Sequence, residues 1–432
     1  MYKRGLVLGG GGTKGSYQLG AWEGFRELDL SFDLIVGTSI GALNGALMVA
    51  GDYEAACLLW EQIESDQVFP AGSDKRIEAL QRLATPVDLL RFAAQDTLVQ
   101  GSFSSEKLQH LIREAVDEQQ VRSSPVDFGL VTVEFPSLQP YMPFKDEIPQ
   151  GELDQWLMAS AACFPVFTPC EIGGTRYIDG GYYDNLPVGL AVDRGACSIV
   201  SVDLDGIGMQ RPIDETAIPD WIRIEPRWDL GSIFDFDRQI FARNRALGYL
   251  DTLKAFGRRE GHAYTFFPGE CNRNAARLSA GMLELVRRLR APGEAAMMRA
   301  VSLLSQNSAL RTLAGGNWEE ESPLLLCRAA ELAGMVFELD PGKCYRFEEF
   351  NLLLRREYQK VPRFFAVSSD PQALIAALAS TVEPPAITLL ISQLLSRNGG
   401  PLLSSAFSLF PPREYVAACY LLLLLQCYPD SP

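Results

Sequence analysis

Three short stretches hold residues whose types and spacing could do chemistry. The first is Gly37-Thr38-Ser39-Ile40-Gly41, a G-x-S-x-G preceded by the apolar run Leu34-Ile35-Val36. Small residues follow it at Gly41, Ala42, Gly45 and Ala46. A strand, a sharp turn and a helix in that order describe a nucleophile elbow, in which a serine hydroxyl stands exposed at the C-terminal edge of a sheet. Gly37 and Gly41 fit because side chains two before and two after the serine would collide in so tight a turn. The helix N-terminus behind the serine favours negative charge nearby. Ser39 is the candidate nucleophile, although so short a motif also arises by chance and needs its context to carry it.

The second stretch, Gly9-Gly10-Gly11-Gly12-Thr13-Lys14-Gly15, follows Leu6-Val7-Leu8 and precedes a helical pattern with Leu19, Trp22, Phe25 and Leu28 on one face. A glycine-rich turn between strand and helix presents bare backbone N–H groups to an anion, either a phosphate or a tetrahedral oxyanion. Gly10-x-Gly12-x-x-Gly15 satisfies the dinucleotide fingerprint, but that fingerprint expects an acid ending the second strand, about 20 residues on. Here the second strand ends in Gly37-Thr38-Ser39, and Asp33 precedes it. No Gly-Lys-Ser/Thr closes the loop as a P-loop would. An oxyanion hole fits better, since neighbouring parallel strands would set both turns at one edge. Backbone donors there are worth about 3 kcal/mol each to an acyl-transfer transition state. A nucleotide-binding protein using the 10–15 loop stays open as an alternative.

The third stretch is Tyr177-Ile178-Asp179-Gly180-Gly181, closing in Asp184-Asn185-Leu186-Pro187. Read alone, Asp179-Gly180 is a hairpin turn. Histidine scarcity argues for more. A serine nucleophile needs a base, ordinarily histidine, and the chain has two, His110 and His262. His110 lies in an amphipathic helical pattern and His262 opens a short strand, Tyr264-Thr265-Phe266-Phe267; neither carries a triad signature. If no histidine serves, a carboxylate must, and Asp179 in its glycine-exposed turn is best placed. An aspartate of ordinary pKa, ~3.9, is a poor base at neutral pH. It would act only where desolvation and a short hydrogen bond to the hydroxyl make proton transfer concerted. On this reading the activity shows no imidazole-like titration.

These residues need elements to hold them. The apolar patterns predict strands over 5–9, 34–36, 126–135, 197–203 and 221–224, with 264–267 as the last. Helices are expected over 17–28, from Gly41 onward, over 156–162 and over 236–256. Residues 53–116 read as helical, broken at Phe69-Pro70-Ala71-Gly72-Ser73. Within them Phe92, Leu98, Phe103 and Leu108 are expected in the core, and 69–101 is a candidate lid. Beyond Gly269 strand patterns almost vanish. Segments 275–290, 294–305, 323–337, 347–358, 371–380, 387–395 and 414–427 read as amphipathic helices. Their apolar faces suit packing on a catalytic domain, a lipid-facing surface or a dimer surface, and amphipathicity leaves these open.

GGGGTKG, then GTSIG, then DGG, with no triad histidine, resembles the patatin-like phospholipases over about residues 3 to 265. Asn185-Leu186-Pro187 and the segment Ala159-Ser160-Ala161-Ala162-Cys163-Phe164-Pro165 share the likeness. The resemblance implies a three-layer α/β/α sandwich with a mostly parallel central sheet over 1–268; it does not reach 269–432, whose helical patterns predict an all-α C-terminal domain. It implies a lipid acyl hydrolase, of phospholipase A or lysophospholipase type, that uses a Ser39–Asp179 dyad without metal or cofactor. The family's oxyanion-hole glycines fall on Gly10, Gly11 and Gly12, with Gly11 and Gly12 favoured. Lys14 takes the place of the basic residue before the loop's last glycine, Gly15, where it would position the loop or meet a lipid phosphate. Gly37, Gly41, Gly180 and Gly181 complete the motifs. A non-catalytic lipid-binding scaffold of the same fold is the other reading.

The whole chain sets bounds. Its 432 residues, 47% hydrophobic and 22% charged, can bury a large core. A net charge of −15 argues against nucleic acid and against docking on anionic lipid, which leaves peripheral membrane contact to apolar patches. Nine cysteines without a secretory leader favour reduced thiols, and scarce histidine argues against a metal. The longest apolar run, 416–425, falls well short of the ~20 residues that span a bilayer. A soluble, cytoplasmic protein is expected.

Overall fold

Apolar strands buried on both faces organise the N-terminal part of the chain. The structure, a computed structural model, describes residues 2–82, 101–278, 318–361, 383–396 and 412–427. The helices expected over 294–305 and 371–380, most of 275–290, and the 83–100 part of the candidate lid lie outside the described residues. The chain divides into two units, Met1–Phe256 and Gly257–Pro432.

The first unit opens with β1 (Tyr2–Leu8), α1 (Ser16–Glu27), β2 (Leu34–Thr38) and α2 (Ile40–Ala50). The helices α3 (Tyr53–Gln62), α4 (Ser65–Val68), α5 (Asp74–Gln81), α6 (Glu106–Ala115) and α7 (Glu118–Ser123) follow. Then come β3 (Asp127–Phe135), β4 (Pro140–Tyr141), α8 (Leu153–Ala161), β5 (Cys170–Ile172) and β6 (Thr175–Asp179). The unit ends with α9 (Val188–Asp193), β7 (Ala196–Val202), β8 (Asp220–Ile224) and α10 (Arg238–Ala255).

The sheet has the order β5-β6-β3-β2-β1-β7-β8, with β4 added on β3. Strands β3, β2, β1, β7 and β8 are parallel neighbours, whereas β6 runs antiparallel to β3 and β5 to β6. Alternation along the strands feeds two layers. Leu6, Leu8, Ile35, Leu130 and Val202 share a core with Phe25 of α1, Leu47 of α2, Trp156 of α8 and Leu247 of α10. Val7, Val36, Val131 and Ile199 pack instead with Val188 and Leu190 of α9 and with Phe144. Covering both faces is what a parallel sheet requires. This is the expected three-layer sandwich. Helices α1 and α10 lie backbone to backbone, since a Cβ on Gly248 would stand 1.9 Å from the Tyr17 carbonyl oxygen. The Tyr17 hydroxyl donates to Asp251 Oδ2 at 2.7 Å.

The second unit is helical apart from one short ladder. Strand β9 (Thr265–Phe266) pairs in parallel with β10 (Cys344–Tyr345). The 264–267 strand therefore does not close the large sheet, as expected from the sequence, but belongs to the second unit. Two residues are enough for a local ladder, and hydropathy alone does not name the partner. The helices are α11 (Trp318–Val336), α12 (Phe347–Lys360), α13 (Pro384–Ser396) and α14 (Pro412–Cys427), with a further helical stretch at 270–278. Residues 414–421 of α14 are buried, with Leu423 and Leu424, so its apolar run serves as core rather than as a lipid-facing or dimer surface. A closed polar ring sits in this unit. Asn274 Nδ2 donates to Tyr420 Oη, Tyr420 Oη to Asn351 Oδ1, and Asn351 Nδ2 to Asn274 Oδ1. Nearby, the Sγ atoms of Cys271 and Cys327 stand 2.9 Å apart. No described helix is long and apolar enough to cross a membrane.

Candidate active site

Sheet register assembles the site. Leu8 of β1 pairs with Gly37 of β2, so the glycine loop and the G-x-S-x-G turn leave the sheet side by side. Ser39 caps α2 with φ 55° and ψ −125°, a conformation that non-glycine residues rarely hold and that persists only when its surroundings impose it. Those surroundings are specific. A Cβ on Gly37 would lie 2.4 Å from the Gly41 backbone, as the motif predicts, whereas a Cβ on Gly41 would strike the Leu8 carbonyl oxygen at 2.3 Å. The second glycine is thus required by the neighbouring strand rather than by the first glycine. The Ser39 N–H donates to Ser160 Oγ at 2.9 Å, and Ser160 Oγ donates onward to the Val131 carbonyl at 2.7 Å.

Asp179 arrives from the other direction. Thr38 is opposite Val131 on β3, and the next β3 residue, Thr132, is opposite Asp179 at the end of antiparallel β6. Ser39 and Asp179 therefore meet across the end of β3. Asp179-Gly180 is not a hairpin turn: the chain continues into a 3-10 turn, Gly180–Tyr182, and the β5–β6 hairpin turns at Gly173-Gly174. Gly180 has no room for a side chain, because a Cβ would lie 2.2 Å from the Val131 carbonyl oxygen. Asp179 is buried. Burial pushes its carboxyl up to about 6, against the lowering effect of the Gly181 N–H, which donates to Oδ1 at 2.7 Å, and of the neighbouring Ser39 hydroxyl. A carboxyl raised this far approaches the imidazole range, so a limb near pH 6 would not by itself point to a histidine.

The glycine loop is held at both ends. The Gly10 N–H donates to the Asn185 carbonyl and the Thr13 N–H to the Ile233 carbonyl, both at 3.0 Å. Gly10 was expected among the oxyanion donors, but its amide is already committed. Gly11 and Gly12 are left as the loop amides without a hydrogen-bond acceptor among the described residues. Gly12 has φ 56°, and a Cβ there would lie 2.1 Å from the Ile233 carbonyl oxygen. Lys14 is neither solvated nor placed for a lipid phosphate. It is buried, and Nζ donates to the Asp205 carbonyl at 2.8 Å, tying the loop to the segment after β7. The motif's last glycine, Gly15, makes room for an indole, since a Cβ would stand 2.8 Å from Trp60 Cζ2.

Above these residues lies a cavity of about 350 Å³. Gly11, Gly12, Ser39, Asp179 and Gly181 form its polar end, and Ile40, Leu43, Trp60, Leu108, Ile112, Phe167 and Phe236 are among its apolar walls. Of the residues expected in the core, Phe103 is buried in it, and Leu108 packs against it while also lining this cavity. Phe69 is fully buried, stacked on Phe167 and edge-on to Phe103 and Phe234. The described start of the candidate lid is therefore packed roof. Neither histidine lines the cavity. His110 is exposed beside Glu114 at 3.5 Å, and His262 belongs to the second unit.

Several supports had no role assigned from the sequence. Ser160 fixes the elbow amide. Asn185 holds Gly10 from both sides, by its carbonyl and by Nδ2 donating to the Gly10 carbonyl at 3.1 Å. Buried Gln18 and Asn44 connect Gly9, Gly15 and Trp60: Gln18 Nε2 donates to the Gly9 carbonyl, Asn44 Nδ2 to the Gly15 carbonyl, and Trp60 Nε1 to Asn44 Oδ1. The signal in the sequence was a lone Asn within the apolar run of α2.

Over residues 6–192 the chain matches the model of a family described as patatin-like phospholipase. Among curated proteins it is similar to the lysophospholipase NTE1 of Mycosarcoma maydis, 26% identical over 230 residues that are 52% of this chain and 11% of that protein. It is similar also to the patatin-like phospholipase domain-containing protein 7 of Mus musculus, 25% identical over 230 residues, 52% of this chain and 15% of that one. The chain thus spans a small fraction of the length of these relatives. The solved structure of VipD from Legionella pneumophila aligns over 98% of this chain and 90% of its own, at a TM-score of 0.38 and 15% identity. At that score the likeness carries no argument. With the glycine loop, the elbow and Asp179 all inside the matched stretch, residues 6–192 are a patatin-like phospholipase domain.

Proposed function

We propose that this protein is a lipid acyl hydrolase of phospholipase or lysophospholipase type, working through Ser39 and Asp179. The observation that carries the reading is that Ser39 and the buried Asp179 line one apolar cavity together with Gly11 and Gly12, the carboxyl being raised by burial to about 6. Such a carboxylate is ionised at neutral pH yet far more basic than an exposed aspartate, close to the best value for a general base. Ser39 Oγ attacks the ester carbonyl as its proton passes to Asp179. The oxyanion takes hydrogen bonds from the Gly11 and Gly12 N–H groups, worth about 3 kcal/mol each. Asp179 returns the proton to the departing alcohol; it then takes a proton from the water that attacks the acyl carbonyl and passes it to Ser39 Oγ as the carbonyl–Oγ bond breaks and the fatty acid leaves. The apolar cavity receives the acyl chain, and its walls exclude competing water. The family match and the curated lysophospholipase support the substrate class.

The test is fluorophosphonate labelling with peptide mapping, followed by a panel of glycerophospholipids and lysolipids. Labelling at Ser39 that vanishes in Ser39→Ala and falls sharply in Asp179→Asn is the expected result. A folded wild-type protein that neither labels nor hydrolyses in detergent micelles overturns the proposal.

A further inference from the structure

Trp60 lines two cavities of the first unit. On one side its indole faces the cavity of about 350 Å³ that contains Ser39. On the other it faces a groove of about 470 Å³. The groove's floor is apolar, with Leu19, Phe241 and Ala246, and its rim carries Arg245 paired with Glu23 at 3.0 Å. The ring is clamped between them. Its Nε1 donates to Asn44 Oδ1 at 3.1 Å, it meets Phe241 edge to face at 5.5 Å, and its far edge packs on the bare Cα of Gly15. A side chain held on three sides is a wall rather than a gate.

We propose that Trp60 sets the upper limit of acyl-chain length, by closing the catalytic cavity off from the groove behind it. This rests on the acyl-hydrolase reading of Ser39. A chain short enough to end at the indole gains binding with each methylene, roughly fourfold per step. A longer one must leave its tail in water or displace a ring fixed by a hydrogen bond and two packed surfaces. Removing the indole joins cavity and groove, and the added methylenes find the apolar floor formed by Leu19, Phe241 and Ala246.

Two measurements separate this from the reading it rests on. The first is calorimetric binding of saturated fatty acids, from butyrate to stearate, to Ser39→Ala protein with and without Trp60→Ala. Affinity in the Ser39→Ala protein should rise with chain length and then level off. With Trp60→Ala it should continue to rise, improving affinity for palmitate over octanoate by roughly tenfold or more. The second is kcat/KM on the matching p-nitrophenyl esters, where Trp60→Ala should favour palmitoyl over octanoyl by a similar factor. Trp60→Phe, which keeps a ring against Gly15 and Phe241, should fall between and carries the test if the alanine variant does not fold. Superimposable chain-length profiles in binding overturn the wall, whatever the enzyme does. A shifted binding profile without Ser39-dependent hydrolysis overturns the catalytic reading and leaves the wall standing.

Discussion

Asp179 concentrates the chemistry of the site and its cost. Its folded pKa of about 6 lies above the unfolded value, so proton binding favours the folded state most strongly below about pH 4, and that contribution is lost as pH rises to about 6. Asp184, also raised to about 6 by burial, adds a second limb of the same sign. Replacing Asp179 by asparagine removes the buried charge. Asp179→Asn should therefore raise stability at pH 8 by up to about 3 kcal/mol, a gain that vanishes near pH 4 in thermal melts, while hydrolysis is lost. The same carboxyl predicts an acidic limb near pH 6 in kcat/KM, rate falling as pH drops. That limb should survive His110→Gln and His262→Gln in a pH–rate series, and its disappearance in either would remove Asp179 as the base. The residues of these motifs were legible through their context, a strand before and a helix after Ser39, a glycine-rich turn beside it, and too few histidines to supply a base other than Asp179. Ser160 and Asn185 stood inside stretches that share the family likeness, but their tasks were hidden, since an ordinary polar residue says nothing until its buried partner is known.

At the level of elements, backbone approach decides what is tolerated. Ser160 bridges the elbow on α2 to strand β3. Ser160→Ala leaves the Ser39 N–H and the Val131 carbonyl without it, which should cost about 1–3 kcal/mol in denaturant melts and lower kcat more than it changes KM. Gly248→Ala should destabilise by about 3 kcal/mol, because its methyl group would overlap the Tyr17 carbonyl of α1 and force α1 and α10 apart. The parallel strands and their helices were readable from apolar runs and spacing. The antiparallel β5–β6 hairpin was not, because strand direction and partner are set by contacts distant in sequence. Leu108 and Trp60 were equally hidden, since an amphipathic pattern shows which face turns inward but not whether that face meets core or cavity.

Across the whole chain, the second unit adds a feature independent of the lipid site. Cys271 and Cys327 are free thiols in sulfur contact. Oxidised glutathione should join them, two thiols giving up two protons and two electrons as two glutathione thiols form. The bond would close 56 residues of sequence separation, worth about 4 kcal/mol by loop entropy. A rise in Tm with oxidant that is absent in Cys271→Ala, with the cross-linked peptide found by mass spectrometry, is the expected outcome.

Lys14 offers a different use. An ammonium folded inward onto the Asp205 carbonyl is shielded from solvent only while the glycine loop and the segment after β7 keep their places. Its acylation by a water-soluble amine reagent, followed peptide by peptide, would therefore clock how often the loop that carries Gly11 and Gly12 comes undone. The lysine that the family pattern places beside the catalytic machinery becomes a built-in footprinting probe of that machinery's integrity, readable in the resting protein without any substrate.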